Sequence, residues 1–239
     1  LKRLKAQGVE FHFGVKVEEL ADLEDKIEVK YQNQSQSFRL KADAVLVATG
    51  RRPATRELNA AKAGIELMPN GAVKVNTRLQ TTNPIVWAMG DVNGGLQFTY
   101  ISLDDSRIVR SQLPIGGSDY TTADRKNIPY SVFIDPTYSR VGMNEKEATA
   151  QNRKIKIAKL PAAAIPRAKA IGETDGLLKA VIDAETSQIL GMMLFCAESY
   201  EVINLVKLAM DQQISYTVLR DMIYTHPSMS EALNDLLNV

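Results

Sequence analysis

Apolar and polar residues alternate along residues 9–17, with Val9, Phe11, Phe13, Val15 and Val17 on one side. That period of two predicts a half-buried strand. Ile27, Val29 and Tyr31 repeat the pattern, as do Phe38 and Leu40 after a polar stretch over 32–37. A small antiparallel meander is predicted there. Residues 43–48 and 85–89 are apolar without alternation, which predicts two strands buried on both faces, as in a parallel sheet. A helix is predicted over 99–113, carrying Ile101, Ile108 and Val109. The polar run 119–127 marks a domain boundary. Beyond it the pattern predicts strands at 130–134, 154–160, 177–183 and 188–197, then helices at 199–213, 216–223 and 228–237. Val202, Leu205, Val206, Ala209 and Met210 share one face of the first of these helices. Strands followed by a run of helices form an α+β module.

Composition narrows the class. Apolar residues at 45% and charged residues at 24% of 239 describe a globular chain with a sizeable core. A net charge of +1 supplies no field to gather nucleic acid or an acidic membrane. One cysteine excludes an internal disulfide framework and a multi-cysteine metal site. No run approaches the roughly 18–20 apolar residues of a membrane span, and no signal peptide opens the chain. The expectation is a soluble, cytoplasmic protein. Leu1 is not Met, and residues 1–8 resemble the last turns of a helix stopped by Gly8. A fragment is favoured over a processed product.

Candidate chemistry sits after the two apolar strands. Ala48-Thr49-Gly50-Arg51-Arg52-Pro53 follows one and Met89-Gly90-Asp91-Val92 the other. Ligands of open parallel sheets bind outside strand carboxyl ends. A glycine there admits a ligand to the backbone, and an Asp can accept hydrogen bonds from sugar or ribityl hydroxyls. Each alone would read as an ordinary turn; the pair, about forty residues apart, is more specific.

Together with Thr225-His226-Pro227-Ser228-Met229-Ser230-Glu231 near the end, these segments resemble the pyridine nucleotide–disulfide oxidoreductases: glutathione reductase, dihydrolipoamide dehydrogenase and mercuric reductase. Residues 48–53 are similar to the family's ATGRxP segment, where the chain passes from the NAD(P) domain to the FAD domain. Residues 88–91 are similar to its second flavin motif. Residues 90–110 and the ending look closest to a mercuric-reductase-like branch associated with resistance to reactive chlorine. The resemblance implies that Gly50, Gly90, Asp91, Phe98 and Thr99 contact cofactor, with Asp91 on the ribityl chain of FAD. The start of the helix at Thr99 would lie beside the flavin pyrimidine ring. Tyr100 departs from the Pro or Ala common in that place. His226 would be the acid–base residue, reaching into a second subunit, with Glu231 orienting it.

Residue chemistry offers rival uses. His suits proton transfer near neutral pH; of the two histidines, His12 lies in an alternating strand and is expected to be a surface or satisfied strand residue. Ser228-x-x-Glu231 also has the form of a capping box, which would compete with His226 for one carboxylate. Cys196 lies in an apolar strand beside Met192 and Met193. A soft-metal site there is conceivable, but a core thiol is the favoured reading, and no metal site is assigned.

Both cofactor folds in the family need a GxGxxG turn, yet no two of the 14 glycines are separated by a single residue. A redox cysteine pair is also absent from this sequence. The chain is therefore expected to hold α/β remnants of the NAD(P)-binding domain (1–50) and FAD-binding domain (51–126), then a complete α+β dimerisation domain (127–239) with an antiparallel sheet and helices. The expected function is that of a C-terminal fragment of a FAD-dependent NAD(P)H oxidoreductase, whose acceptor is a disulfide, a metal ion or a similar small molecule. The fragment alone is expected to be inactive, to retain neither FAD nor NAD(P)H, and mainly to form a homodimer through 127–239. The alternatives are a stand-alone dimerisation or binding module without redox chemistry, and a small enzyme built around His226.

Overall fold

The computed structural model describes residues 1–113 and 117–239. A short helix, α1 (Lys2–Ala6), precedes a three-stranded antiparallel meander of β1 (Val15–Asp22), β2 (Ile27–Asn33) and β3 (Gln36–Ala42). β1 starts later than the alternation predicts, because residues 9–14 have no ladder partner. Val17, Tyr31 and Phe38 lie in register across the meander, and the two rings stack at 5.5 Å.

The two segments predicted as doubly buried strands are not strands. Residues 43–48 are extended without a ladder, and Leu46 is 89% exposed. Residues 85–89 make one isolated bridge, Trp87 to Gln80, and Ile85 is 79% exposed. Both-face burial requires a neighbouring strand on each side and layers above and below, and neither segment has them among the described residues. The region 51–98 is instead held by turns and by a small core that includes Ala60, Ala72, Val73, Leu79 and Ala88. α2 (Thr99–Ser111) closes it, burying Ile101 and Ile108.

After residue 127 comes a five-stranded antiparallel sheet ordered β4-β5-β8-β7-β6. Its strands are β4 (Tyr130–Val132), β5 (Tyr138–Gly142), β6 (Ile155–Pro161), β7 (Leu177–Asp183) and β8 (Ile189–Phe195). β5 is absent from the sequence expectation. α3 (Glu145–Ala150), opened by a capping box between Asn144 and Glu147, and α4 (Pro166–Ala170) are likewise additional. α5 (Ser199–Asp211) packs on β5 and β8, while α7 (Ala232–Leu236) lies against β6 and β7 and beside α6 (Tyr216–Asp221). Leu178, Ile182, Met192, Leu194, Ile203 and Leu233 fill the space between sheet and helices, each buried. This is the only large core among the described residues, and it anchors everything the site needs downstream of residue 127.

Candidate functional site

Gly90 begins a 3-10 turn over Gly90–Asn93, with φ at +78°. A side chain there would face left-handed strain, and its Cβ would sit 3.0 Å from the Ser102 hydroxyl on α2. The turn presents Asp91, whose Oδ2 accepts from Arg51 Nη1 at 2.7 Å. The two motif segments, distant in sequence, thus meet through one charge-assisted bond. Gly50, with φ at +118°, lies next to Arg51 in open space and does not itself line the cleft.

α2 starts at Thr99, with Phe98 as its N-cap residue and no side chain capping it. The Thr99 and Tyr100 amides have no acceptor within the helix and remain available to one in front of it, whereas the Ile101 amide donates to the Phe98 carbonyl at 3.0 Å. Phe98 is stacked on Tyr100 at 5.0 Å and on Tyr130 of β4 at 6.5 Å. The Tyr100 hydroxyl donates to the Pro129 carbonyl at 2.7 Å, and burial raises its pKa. Arg51, Gly90, Asp91, Phe98 and Thr99 all line one cleft of about 1660 Å³, whose far wall comes from β4 and α5.

His226 and Glu231 form a second group outside that cleft, on the loop between α6 and α7. His226 Nδ1 lies 2.8 Å from Glu231 Oε2, and the imidazole side chain is 68% exposed. The Ser228 amide donates to the other oxygen, Oε1, at 3.1 Å, and the Glu231 amide donates to Ser228 Oγ at 3.3 Å. Capping and His orientation are therefore not alternatives: one carboxylate divides its two oxygens between them. The His226 hydrogen bond lowers the Glu231 pKa from its ordinary 4.5; burial opposes it less strongly, and the Ser228 amide adds a smaller lowering. The helix starts at Ala232 rather than Ser228, because these reciprocal bonds close a turn of their own first.

Sequence reasoning missed Asp105 and Arg125. Asp105 is 1% exposed, and its Oδ2 accepts from the Gly90 amide at 2.7 Å and from Asn93 Nδ2 at 3.1 Å. Its other oxygen pairs with Arg125, which also donates to Asp104 at 2.6 Å. The legible signal was the spacing Ile101, Asp105, Ile108, which puts a carboxylate on the apolar face of α2. Cys196 is buried, and desolvation pushes its thiol up to about 12. Among the described residues, no cluster of three or more His, Cys, Asp or Glu could hold a metal ion, and no helix is long and apolar enough to cross a membrane.

Comparison with known proteins gives two family models, pyridine nucleotide-disulphide oxidoreductase over residues 1–106 and the dimerisation domain of the same family over 128–237. The chain is 49% identical over 236 residues to the probable pyridine nucleotide-disulfide oxidoreductase RclA of Escherichia coli K12, covering 99% of this chain and 52% of that protein. It is 31% identical to human mitochondrial dihydrolipoyl dehydrogenase, covering 97% and 46%. A solved structure described as the HOCl-induced flavoprotein disulfide reductase RclA from Escherichia coli superposes with a TM-score of 0.93, over 99% of this chain and 53% of that one. A Cu(II) complex of the same reductase matches equally, with a TM-score of 0.93. The chain spans about half the length of the curated relatives it matches.

Proposed function

The chain belongs to the pyridine nucleotide-disulphide oxidoreductases, and we propose that it supplies the flavin-facing half and the dimerisation domain of a FAD-dependent NAD(P)H oxidoreductase. The observation that carries this is the single cleft in which the Arg51–Asp91 pair and the uncapped start of α2 stand side by side. The donor set fits the ribityl and ring end of a flavin. A carboxylate can accept from polyol hydroxyls, and a helix start favours negative charge. FAD, when bound, would relay electrons from NAD(P)H to the acceptor, for which a disulfide, a metal ion or a similar small molecule is the proposed class. Arg51 orients Asp91, and Gly90 lets the turn approach the ligand. No GxGxxG turn occurs in this sequence, so the grip on both dinucleotides would come from chain it does not contain. On this reading, the chain alone neither retains FAD nor turns over.

His226 has a defined proton inventory. The ionised Glu231 only accepts, so Nδ1 carries the hydrogen and Nε2 of the neutral ring is left as the base. In the protonated ring, Nε2 becomes the donor. Because the imidazole is exposed and stands outside its own protomer's cleft, its proposed place is the cleft of a second copy, in a homodimer formed through 127–239. The domains are proposed as 1–50, 51–126 and 127–239, the first two being parts of the NAD(P)- and FAD-binding domains. Titration of FAD fluorescence with the chain, alongside light scattering, tests the reading. Weak FAD binding that Asp91→Asn weakens further, on a particle of dimeric mass, is the expected result. Binding indifferent to Asp91, or a monomer at micromolar concentration, would reject it.

A further inference from the structure

We propose that Asp105 is a positioning residue that holds the Gly90–Asp91 turn in its ligand-facing shape, an inference that rests on the flavin reading of Asp91. Asp105 touches neither Asp91 nor the open cleft. It binds both ends of the four-residue turn instead, taking the amide of Gly90 at 2.7 Å and the side-chain amide of Asn93 at 3.1 Å on one oxygen. Asp91 lies between these two anchors, so the backbone that carries it is held once they are, and Arg51 then engages its side chain. A buried carboxylate is costly unless it is paired and hydrogen-bonded, and here Arg125 completes the set on the second oxygen.

The alternative is an ion pair that only stabilises the fold. Two features argue for more. The oxygen facing away from Arg125 is spent on the backbone of the residue preceding Asp91, where small displacements change where that carboxylate points. Arg125 is also the residue just ahead of the second sheet domain and bridges Asp104 and Asp105 on α2. The turn, the middle of α2 and the segment entering the second sheet are thereby locked into one unit.

The test uses the full chain, with Asp105→Ala and Asp105→Asn, and three readouts: amide hydrogen exchange over residues 88–94 without FAD, FAD fluorescence titration, and thermal unfolding. Asp105→Asn keeps an oxygen for the Gly90 amide, so it separates loss of that bond from loss of charge. Asp105→Ala is expected to speed Gly90 exchange by about tenfold or more, as removal of a hydrogen bond to a charged acceptor does. It should weaken FAD binding as much as Asp91→Asn does. The Asn variant is expected to restore most of the protection and most of the affinity. Unchanged Gly90 exchange in a folded Asp105→Ala chain would overturn the inference, as would an Asn variant no better than Ala in both readouts. Faster Gly90 exchange in Asp105→Ala, together with FAD binding that Asp91→Asn leaves unchanged, would reject the flavin reading while upholding the hold on the turn.

Discussion

Replacing Glu231 separates the two duties of its carboxylate. In Glu231→Ala the Ser228 amide loses its acceptor, and His226 Nδ1 loses its partner. A hydrogen bond to a charged group contributes about 1.5–3 kcal/mol, and the Ser228 bond is partly sheltered, since the Glu231 side chain is only 16% exposed. The His226 pair is open to solvent and is discounted to about 0–1 kcal/mol. The sum is about 1.5–4 kcal/mol, which for a chain of this size is a Tm fall of about 3–16 °C. Glu231→Gln keeps an amide oxygen for Ser228 and loses only the charge on His226, so its cost should stay under about 1 kcal/mol. The pH dependence has a definite sign. The folded Glu231 has a lowered pKa, so its contribution is present above the ordinary 4.5 and is lost as pH falls below it. The Gln variant should lack that contribution. Urea unfolding of the three proteins at pH 7 and pH 4 measures all of this. Equal damage from Gln and Ala, or an Ala variant within 0.5 kcal/mol of wild type (about the noise of a surface substitution), would refute the shared-carboxylate account.

Three further outcomes follow from the packing. Leu194→Ala, at a fully buried position on β8, should cost about 3–5 kcal/mol in chemical denaturation; a loss under 1 kcal/mol would mean the sheet–helix core is not formed as described. Gly176→Ala should be destabilising by more than about 2 kcal/mol, since φ is +135° and its Cβ would lie 1.9 Å from the Phe195 carbonyl oxygen; a stable variant with an unchanged near-UV spectrum would contradict that contact. Cys196, buried with its thiol pushed up to about 12, should stay unreactive toward a disulfide reagent at pH 8 until denaturant is added, and rapid labelling of the native chain would place it at the surface.

The parts of the fold that were legible are those whose signal is local. The meander, β6 to β8 and α5 follow from alternation or helical spacing within each segment. Residues 43–48 and 85–89 were misread because an apolar run states a demand for burial and says nothing of which strands will meet it. β5 was missed because its buried Ser139, bonded to Ser131 and Ser199, breaks the apolar pattern of a central strand. The capping box before α3 was present in sequence, though its six-residue helix is too short to show periodicity. At the site, the His226–Glu231 contact followed from the family resemblance, whereas the spacing Ser228-x-x-Glu231 by itself pointed to the capping box that shares the same carboxylate. Asp105 carried only the weaker signal of a carboxylate on the apolar face of α2, and its partners lie 12, 15 and 20 residues away.

On the proposed function, the chain carries flavin-facing residues but not the turns that grip either dinucleotide. The visible absorption spectrum of the purified chain, taken after adding FAD and desalting, tests it most directly. No flavin band should survive the column, because Asp91 and the α2 start would meet only part of the cofactor. A stoichiometric band retained by the chain alone would contradict it.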